Sequence, residues 1–136
     1  MKYMVVSYID GMDNRNYFKV YKRAIDFIRR EAKKWCKENE ININEETDYS
    51  DGDDYFYGLV YEVCAYIKLY EIPQFNSKTE ELLWNAKVEM DLADMATNYY
   101  KVTLTDCNTD YYISAAQKYI DEAMELLNEE VWYDES

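Results

Sequence analysis

Residues Asp54–Ile72 read DYFYGLVYEVCAYIKLYEI, the longest apolar, aromatic and β-branched run in the chain. An aspartate- and glycine-rich segment precedes this run, and Pro73, the only proline, follows it. Its side chains alternate with a period of two, which favours a β-strand. A single strand of this length would extend about 60 Å at about 3.3 Å per residue, far beyond the usual strand. We therefore predict two strands, near residues 55–62 and 65–72, separated by a tight turn or bulge at Val63–Ala65.

The N-terminal residues predict one more strand and a long helix. Lys2–Ile9 (KYMVVSYI) is β-branched and aromatic, as is typical of a strand. Residues 10–16 are predicted to form a loop, in which Asn16 is a candidate N-cap. Tyr17–Asn39 has apolar residues at spacings of three and four, which indicates an amphipathic helix.

The C-terminal half predicts two further helices. Ser77 and Glu80 have the spacing of a capping box, so that a helix is expected from there to about Tyr100. Residues 101–108 fit either a short strand or a linker, and the linker is the favoured interpretation. A third helix is predicted over about residues 111–129.

These elements predict an α+β fold. A chain of 136 residues is long enough to bury one core, and we expect a single α+β domain over residues 1–136. The expected architecture is a small, mainly antiparallel sheet of about three strands packed with three helices. The strand–helix–strand order would also permit a parallel pairing of the first two strands through a right-handed crossover.

Charge restricts the classes of partner. The chain has 28 acidic and 15 basic residues, a net charge of −13. Free nucleic acid and anionic membranes require a positive surface, and they are not expected as direct partners. The electrostatic field of a chain with a net charge of −13 attracts basic proteins and cations. Acidity also favours solubility, and this simpler explanation stands beside the first.

The predicted N-terminal helix has the opposite charge. Residues 17–38 hold eight basic and three acidic residues, a net of +5, whereas residues 39–136 carry −18. The basic face could contact nucleic acid, or it could neutralise acidic residues of the same domain. We favour the second interpretation, because the surrounding domain is so strongly acidic.

The sequence offers little that is typical of an enzyme. It has no histidine, no glycine-rich phosphate-binding motif and no CxxC pair, so that we expect no catalytic residue, no metal site and no cofactor. Its three cysteines, Cys36, Cys64 and Cys107, are interpreted as reduced thiols. No secretory signal or membrane span is recognised, and a soluble cytoplasmic protein is expected.

An acidic connection precedes the central run. Residues 39–54 are polar, and Gly52 would be the glycine of a calcium-binding loop. That register places Thr47 and Tyr49 at two ligand positions, so that the EF-hand pattern fails there. An exposed acidic loop is the preferred interpretation, and weak calcium binding is the alternative.

Two groups of residues are the predicted partner-binding sites. Carboxylates interleaved with tyrosine and asparagine can imitate the phosphates and base edges of a nucleic acid. A nucleic-acid-binding protein would meet such a surface with its own basic groove. The candidate residues are Glu45, Glu46, Asp48, Asp51, Asp53 and Asp54 in the loop, and Tyr99, Tyr100, Asp106, Asn108, Asp110 and Tyr111 further on.

In size, acidity and lack of catalytic motifs, the chain resembles the small phage- or mobile-element-encoded inhibitors of bacterial defence systems, of which the anti-CRISPR proteins are the best known. The resemblance implies a non-catalytic, stoichiometric inhibitor of a basic nucleic-acid-binding protein such as a CRISPR effector nuclease. It would act in the cytoplasm of the host cell. No diagnostic motif supports the resemblance, and no functional residue is transferred from it.

The alternative is a self-associating structural or interaction module whose acidity is only solubilising. Surface tyrosines together with Met12, Trp84 or Trp132 would then form a homodimer interface. Salt distinguishes the two hypotheses, because raised ionic strength weakens an electrostatic complex and hardly affects an apolar interface. A third class of function is catalysis or cation binding. It predicts that function is lost only when one or two particular carboxylates are neutralised.

Overall fold

A computed structural model describes residues 1–61, 63–103 and 107–135, with the backbone alone for 99–103 and 130–135. These residues form four strands and four helices. They are β1 (Tyr3–Ile9), β2 (Met12–Phe18), α1 (Tyr21–Glu38), α2 (Ile43–Glu46), β3 (Tyr55–Val60), β4 (Val63–Glu71), α3 (Lys78–Thr103) and α4 (Thr109–Glu135). The α+β class is confirmed, although one more strand and one more helix are present than expected.

The chain divides into two compact units, Met1–Pro73 and Gln74–Ser136. We call them the sheet unit and the helical unit. The sheet unit holds all four strands of the described residues together with α1 and α2, and the helical unit holds α3 and α4. That the whole chain folds as one domain stays a prediction.

The sheet has the strand order β2-β1-β4-β3 and is antiparallel throughout. Tyr3 of β1 lies opposite Phe18 of β2 on one side and Glu71 of β4 on the other. Both neighbours of β1 therefore run against it. The antiparallel sheet is confirmed, and the parallel crossover considered above does not occur.

The hairpin of β1 and β2 corrects the prediction for residues 10–16. Asp10 and Gly11 both have positive φ, +54° and +75°, as a two-residue type I′ turn requires. The chain returns as β2 rather than entering a loop, and Asn16 is paired in the sheet rather than capping a helix. α1 consequently begins at Tyr21 instead of Tyr17.

The central run contains the two predicted strands, with the break earlier than expected. Val60 pairs with Val63, and Tyr61 has a φ of +55°. The segment Val63–Ala65, expected to form the turn, lies inside β4. The alternation itself is confirmed, since Phe56 is fully buried while Tyr55 is exposed.

The core of the sheet unit lies between α1 and one face of the sheet. The buried residues of α1 are Ala24, Ile25, Ile28, Ala32, Trp35 and Cys36. The Trp35 indole packs edge-on against Phe56, with 5.7 Å between the ring centroids, and it covers the backbone of Gly58 in β3. Tyr49 contacts Phe56 from another side, with ring centroids 5.9 Å apart. Aromatic packing thus fixes α1 and the loop before β3 to the same strand.

In the helical unit, α3 and α4 pack against each other. The predicted cap of α3 is confirmed, because the Ser77 hydroxyl accepts a hydrogen bond from the Glu80 N–H at 3.1 Å. The Glu80 carboxylate accepts from the Asn76 N–H at 2.8 Å. The cap residues therefore satisfy N–H groups at the start of the helix.

The prediction of three reduced thiols is wrong for two of them. Cys36 is a free thiol on the buried face of α1, whereas Cys64 in β4 and Cys107 before α4 are disulfide-bonded. The cysteines consequently no longer support the expected cytoplasmic compartment.

Candidate protein-interaction surfaces

Negative charge is concentrated in the helical unit. Residues 74–136 hold 14 acidic and 4 basic residues, a net charge of −10, whereas residues 1–73 hold 14 and 11, a net of −3. The two units thus have the same number of acidic residues, and their net charges differ because the helical unit has fewer basic residues. Most of the negative net charge of the chain therefore belongs to the helical unit.

Three of the six candidate carboxylates at residues 45–54 are bound within the sheet unit. Glu46 accepts a hydrogen bond from the Asn42 N–H at 2.6 Å, at the start of α2. Asp53 accepts from the Ser50 N–H at 2.9 Å. Asp51 binds Arg29 of α1, with 2.6 Å between Nε and Oδ1. These three side chains fix the loop in place.

The Arg29 guanidinium also binds Asp26, at 2.7 Å. Hydrogen bonding to Asp51 and its charge raise the pKa of Arg29, and Asp26 adds to the effect. The remaining loop carboxylates, Glu45, Asp48 and Asp54, are exposed, and the described residues give them no ion pair. They are the part of the predicted loop site that is available to a partner.

The second predicted group surrounds the start of α4. Asp110 and Tyr111 are exposed in the first turn of this helix. Asn108 precedes the helix with a φ of +82°, and its carbonyl accepts the N–H of Tyr112 at 3.2 Å. Asp106 and the side chains of Tyr99 and Tyr100 lie outside the described residues. Because this group is in the helical unit and the loop is in the sheet unit, we treat them as two separate candidate surfaces.

A further acidic surface runs along α4. Asp121, Glu125 and Glu129 are exposed at intervals of four residues, and Asp110 falls on the same side of the helix because 11 residues are close to three turns. We call these four residues the acidic stripe. Four residues correspond to a rise of about 6 Å, so that the last three carboxylates form a regular row. Lys118 is exposed on the same side of the helix.

Three residues of the acidic stripe, Asp121, Glu125 and Glu129, disfavour the helix that carries them. Like charges four residues apart destabilise a helix by about 0.2–0.5 kcal/mol per pair, and these carboxylates form two such pairs. Asp121, Glu125 and Glu129 were not among the binding residues predicted from the sequence. The signal that could have found them is their spacing of four within a predicted helix.

The exposed face of α1 has the opposite charge. Apart from Arg29, none of its basic side chains forms an ion pair with a described residue. Neutralisation by acidic residues of the chain, the interpretation favoured above, is thus observed at Arg29. The exposed basic residues are Lys22, Arg23, Arg30, Lys33, Lys34 and Lys37.

The sheet unit also contains a cavity of about 390 Å³ between the β1–β2 hairpin and α1. Five of its eight lining residues are polar or acidic, and the other three, Phe27 of α1 among them, are apolar. Its lining residues are Ser7, Ile9, Asp10, Met12, Asn14, Asn16, Phe27 and Glu31. The volume falls within the range of about 300–1,000 Å³ that is usual for ligand sites.

Cys36 does not have the properties of a nucleophile. Burial, with a smaller contribution from the Glu46 carboxylate, raises the pKa of its thiol from 9.0 to about 11. Because the thiolate is the reactive form, this thiol is inert at neutral pH.

Metal binding and membrane insertion would each require a recognisable feature among the described residues. No group of three or more His, Cys, Asp or Glu side chains in this part of the chain is arranged to hold a metal ion. Among the same residues, no helix combines the length and the apolar character needed to cross a membrane.

Comparison of the chain with protein-family models, with curated proteins and with solved structures found no match.

Proposed function

We propose that this chain is a non-catalytic inhibitor that binds a basic nucleic-acid-binding protein through the acidic surface of its helical unit. Bound there, it blocks access of the nucleic acid. The observation that carries the proposal is the net charge of −10 on residues 74–136, together with the exposed row Asp121, Glu125 and Glu129 on α4.

The geometry of the row suits a groove built for a phosphate backbone. Carboxylates that recur about every 6 Å along a straight helix can each meet an arginine or lysine that would otherwise bind a phosphate. Such contacts are exposed and charged, so that they steer the encounter and weaken as salt rises. The inhibitor and the nucleic acid then compete for the same cations.

The partner class follows from this chemistry and from the resemblance described above. A CRISPR effector nuclease holds its nucleic acid in a positively charged channel, which is the kind of surface the acidic stripe would occupy. The exposed loop carboxylates Glu45, Asp48 and Asp54 in the sheet unit are the alternative location of the binding site, and the proposal gives them no role.

The test is a binding measurement between the purified chain and purified RNA-guided nucleases, over a series of salt concentrations. We expect the dissociation constant to rise steeply with salt and competing DNA to displace the chain. The key variant neutralises the row on α4 (D121N/E125Q/E129Q). Its matched control neutralises the exposed carboxylates of the loop (E45Q/D48N/D54N), with the same change of charge.

At about 0.2–1 kcal/mol for each of three exposed ion pairs, the α4 variant should bind about 3- to 150-fold more weakly, and the loop variant should bind like the unmodified chain. A larger effect of the loop variant would move the site to residues 45–54. If both variants lost affinity equally, net charge rather than the row on α4 would be responsible. The absence of binding at low salt would refute the proposal for the nucleases tested.

The second candidate function is self-association, which is favoured by an exposed apolar face on α4. Ile113, Met124 and Leu127 are 54%, 56% and 47% exposed and lie on one side of the helix. An interface built on this face would depend little on salt, unlike the acidic stripe. Sedimentation equilibrium at low and at high salt distinguishes the two, because a dimer mass unchanged by salt supports the apolar interface.

A further inference from the structure

We propose that the cavity between the β1–β2 hairpin and α1 is a binding site for a guanidinium group. This goes beyond the proposed function, because the cavity lies in the sheet unit and its occupant need not be carried by the partner of the helical unit.

The floor of the cavity is formed by polar side chains of β1 and β2, although the neighbouring residues on this face of the sheet are apolar. Ser7 of β1 lies opposite Asn14 of β2 in the register, and Asn16 follows two positions along β2. These side chains are on the same sheet face as Val5, which belongs to the apolar core beneath α1. Apolar residues here would have extended that core. A local departure from the binary pattern of this kind is expected at functional sites.

The walls of the cavity come from α1 and from the hairpin. Phe27 and Glu31 are four residues apart on α1 and therefore share one side of the helix. The Phe27 ring packs against Phe18, with 5.4 Å between the centroids, at the edge of the core. Ile9 and Met12, which flank the hairpin turn, add apolar surface. An aromatic ring, a carboxylate and polar side chains thus surround one volume.

The charge of the lining selects a cation. Asp10 and Glu31 are the acidic lining residues, and the described residues include no basic side chain in the lining and no ion pair to either carboxylate. The site thus carries two negative charges within a chain of net charge −13. A ligand that is itself anionic would be repelled.

The hydrogen-bonding groups select a guanidinium among organic cations. This group has five N–H donors in one plane and no acceptor. The cavity offers acceptors in the carboxylates, in the Asn14 and Asn16 amide oxygens and in the Ser7 hydroxyl. Ser7 is only 5% exposed, and its hydroxyl donates to the Asn14 carbonyl at the long distance of 3.5 Å, which leaves it capacity for a ligand.

Phe27 provides the remaining element of recognition. A guanidinium stacks on an aromatic face and can bind a carboxylate through two parallel hydrogen bonds. An ammonium is a compact and strongly hydrated point charge, which gains less from a flat aromatic wall. The volume of about 390 Å³ has room for a guanidinium and its alkyl stem.

The experiment uses the full chain, labelled with ¹⁵N, and N-acetylarginine amide as the probe. N-acetylcitrulline amide, which has the same shape and no charge, is the matched control ligand. We expect saturable shifts of amide signals near residues 7–16 and 27–31, with a dissociation constant on the order of 1 mM. Citrulline should bind at least about tenfold more weakly, because charge-assisted hydrogen bonds are lost.

Glu31→Gln tests the carboxylate, and Glu38→Gln is its control, seven residues further along α1 and outside the cavity lining. We expect about a tenfold loss of affinity for Glu31→Gln and none for Glu38→Gln. Both positions are solvent-accessible, so that the spectra of the free variants should keep the dispersion of the unmodified chain.

The proposal is overturned if citrulline binds as well as arginine, if the two variants lose affinity equally, or if the shifts spread over the acidic surfaces without saturating. A peptide with one internal arginine identifies the source of the group. Binding of this peptide supports an arginine side chain of a protein, and binding of the small probe alone supports a free guanidinium compound. Neither the probe nor the variants involve the helical unit, so that a negative result leaves the proposed function standing.

Discussion

Replacing Gly58 by alanine tests how tightly the core of the sheet unit is packed between β3 and Trp35. Gly58 lies in β3 directly beneath Trp35, which is only 1% exposed. A Cβ atom at Gly58 would lie 2.8 Å from the Cη2 atom of Trp35, closer still to its Cζ3 atom, and 3.0 Å from Cζ of Phe56. The obstacle is a buried ring held on several sides rather than the end of a flexible side chain.

The expected cost follows from two opposing effects. Overpacking a well-filled core costs about 1–3 kcal/mol, and the rigid indole places this site near the upper end. Alanine in a strand regains about 0.5–1 kcal/mol relative to glycine, because the unfolded chain loses freedom. We therefore expect Gly58→Ala to lower the free energy of unfolding of the sheet unit by about 2 kcal/mol.

The assay is urea unfolding followed by circular dichroism, for Gly58→Ala with and without Trp35→Phe. Phenylalanine lacks the indole ring atoms that the new methyl group would meet, so that the two substitutions should be coupled by about 1 kcal/mol or more. Gly11→Ala is the control. It also introduces a methyl group, but at a φ of +75° and with no atom within 4 Å, so that Trp35→Phe should not rescue it.

The reasoning would be refuted if Gly58→Ala left the unfolding midpoint unchanged, or if its cost were the same with tryptophan and with phenylalanine at position 35. Either result would mean that the indole can move aside without loss of packing.

Two further predictions concern the cysteines and the alkaline limit of stability. Burial raises the pKa of Cys36 to about 11 from 9.0, and it also raises that of Tyr49, so that both groups stay neutral in the folded chain after they ionise in the unfolded chain. The unfolding free energy should therefore fall as pH rises from about 9 to 11, by at most about 1.4 kcal/mol per pH unit for each group. The measurement is the urea midpoint over this pH range, which should fall less steeply for Cys36→Ala than for the unmodified chain. Thiol titration in denaturant without reductant should detect one thiol per chain, that of Cys36, and three after reduction, because Cys64 and Cys107 are disulfide-bonded; three reactive thiols before reduction would contradict this.

Much of the local structure could be predicted from the sequence because it depends on contiguous residues. The alternation in the central run predicted strands, in which Phe56 is found to be buried, and the helical period predicted α1, in which Ala24 and Ile28 are found to be buried. The capping box at Ser77 and Glu80 located the start of α3. In each case the determining interactions are within a few positions of each other along the chain.

The elements that were missed have weak local signals. β2 reads MDNRNYF, and its apolar residues are too few to show an alternating pattern. It is an edge strand that is held by hydrogen bonds to β1 rather than by its own hydrophobic face. The Asp10-Gly11 pair is a strong hairpin signal, but it was interpreted as the beginning of a loop. α2 is only four residues long.

The sequence by itself determined the α+β class, the principal strands and helices, and the strong excess of carboxylates. Only the tertiary structure decided which carboxylates are available to a partner. Asp51 is bound by Arg29, which is 22 positions away, while Asp121 and Glu125 are exposed on one side of α4. It also decided that Ser7 and Asn14 meet Glu31 around one cavity. Periodicity and turn chemistry are properties of neighbouring residues, whereas ion pairs and cavities depend on which distant surfaces meet when the chain folds.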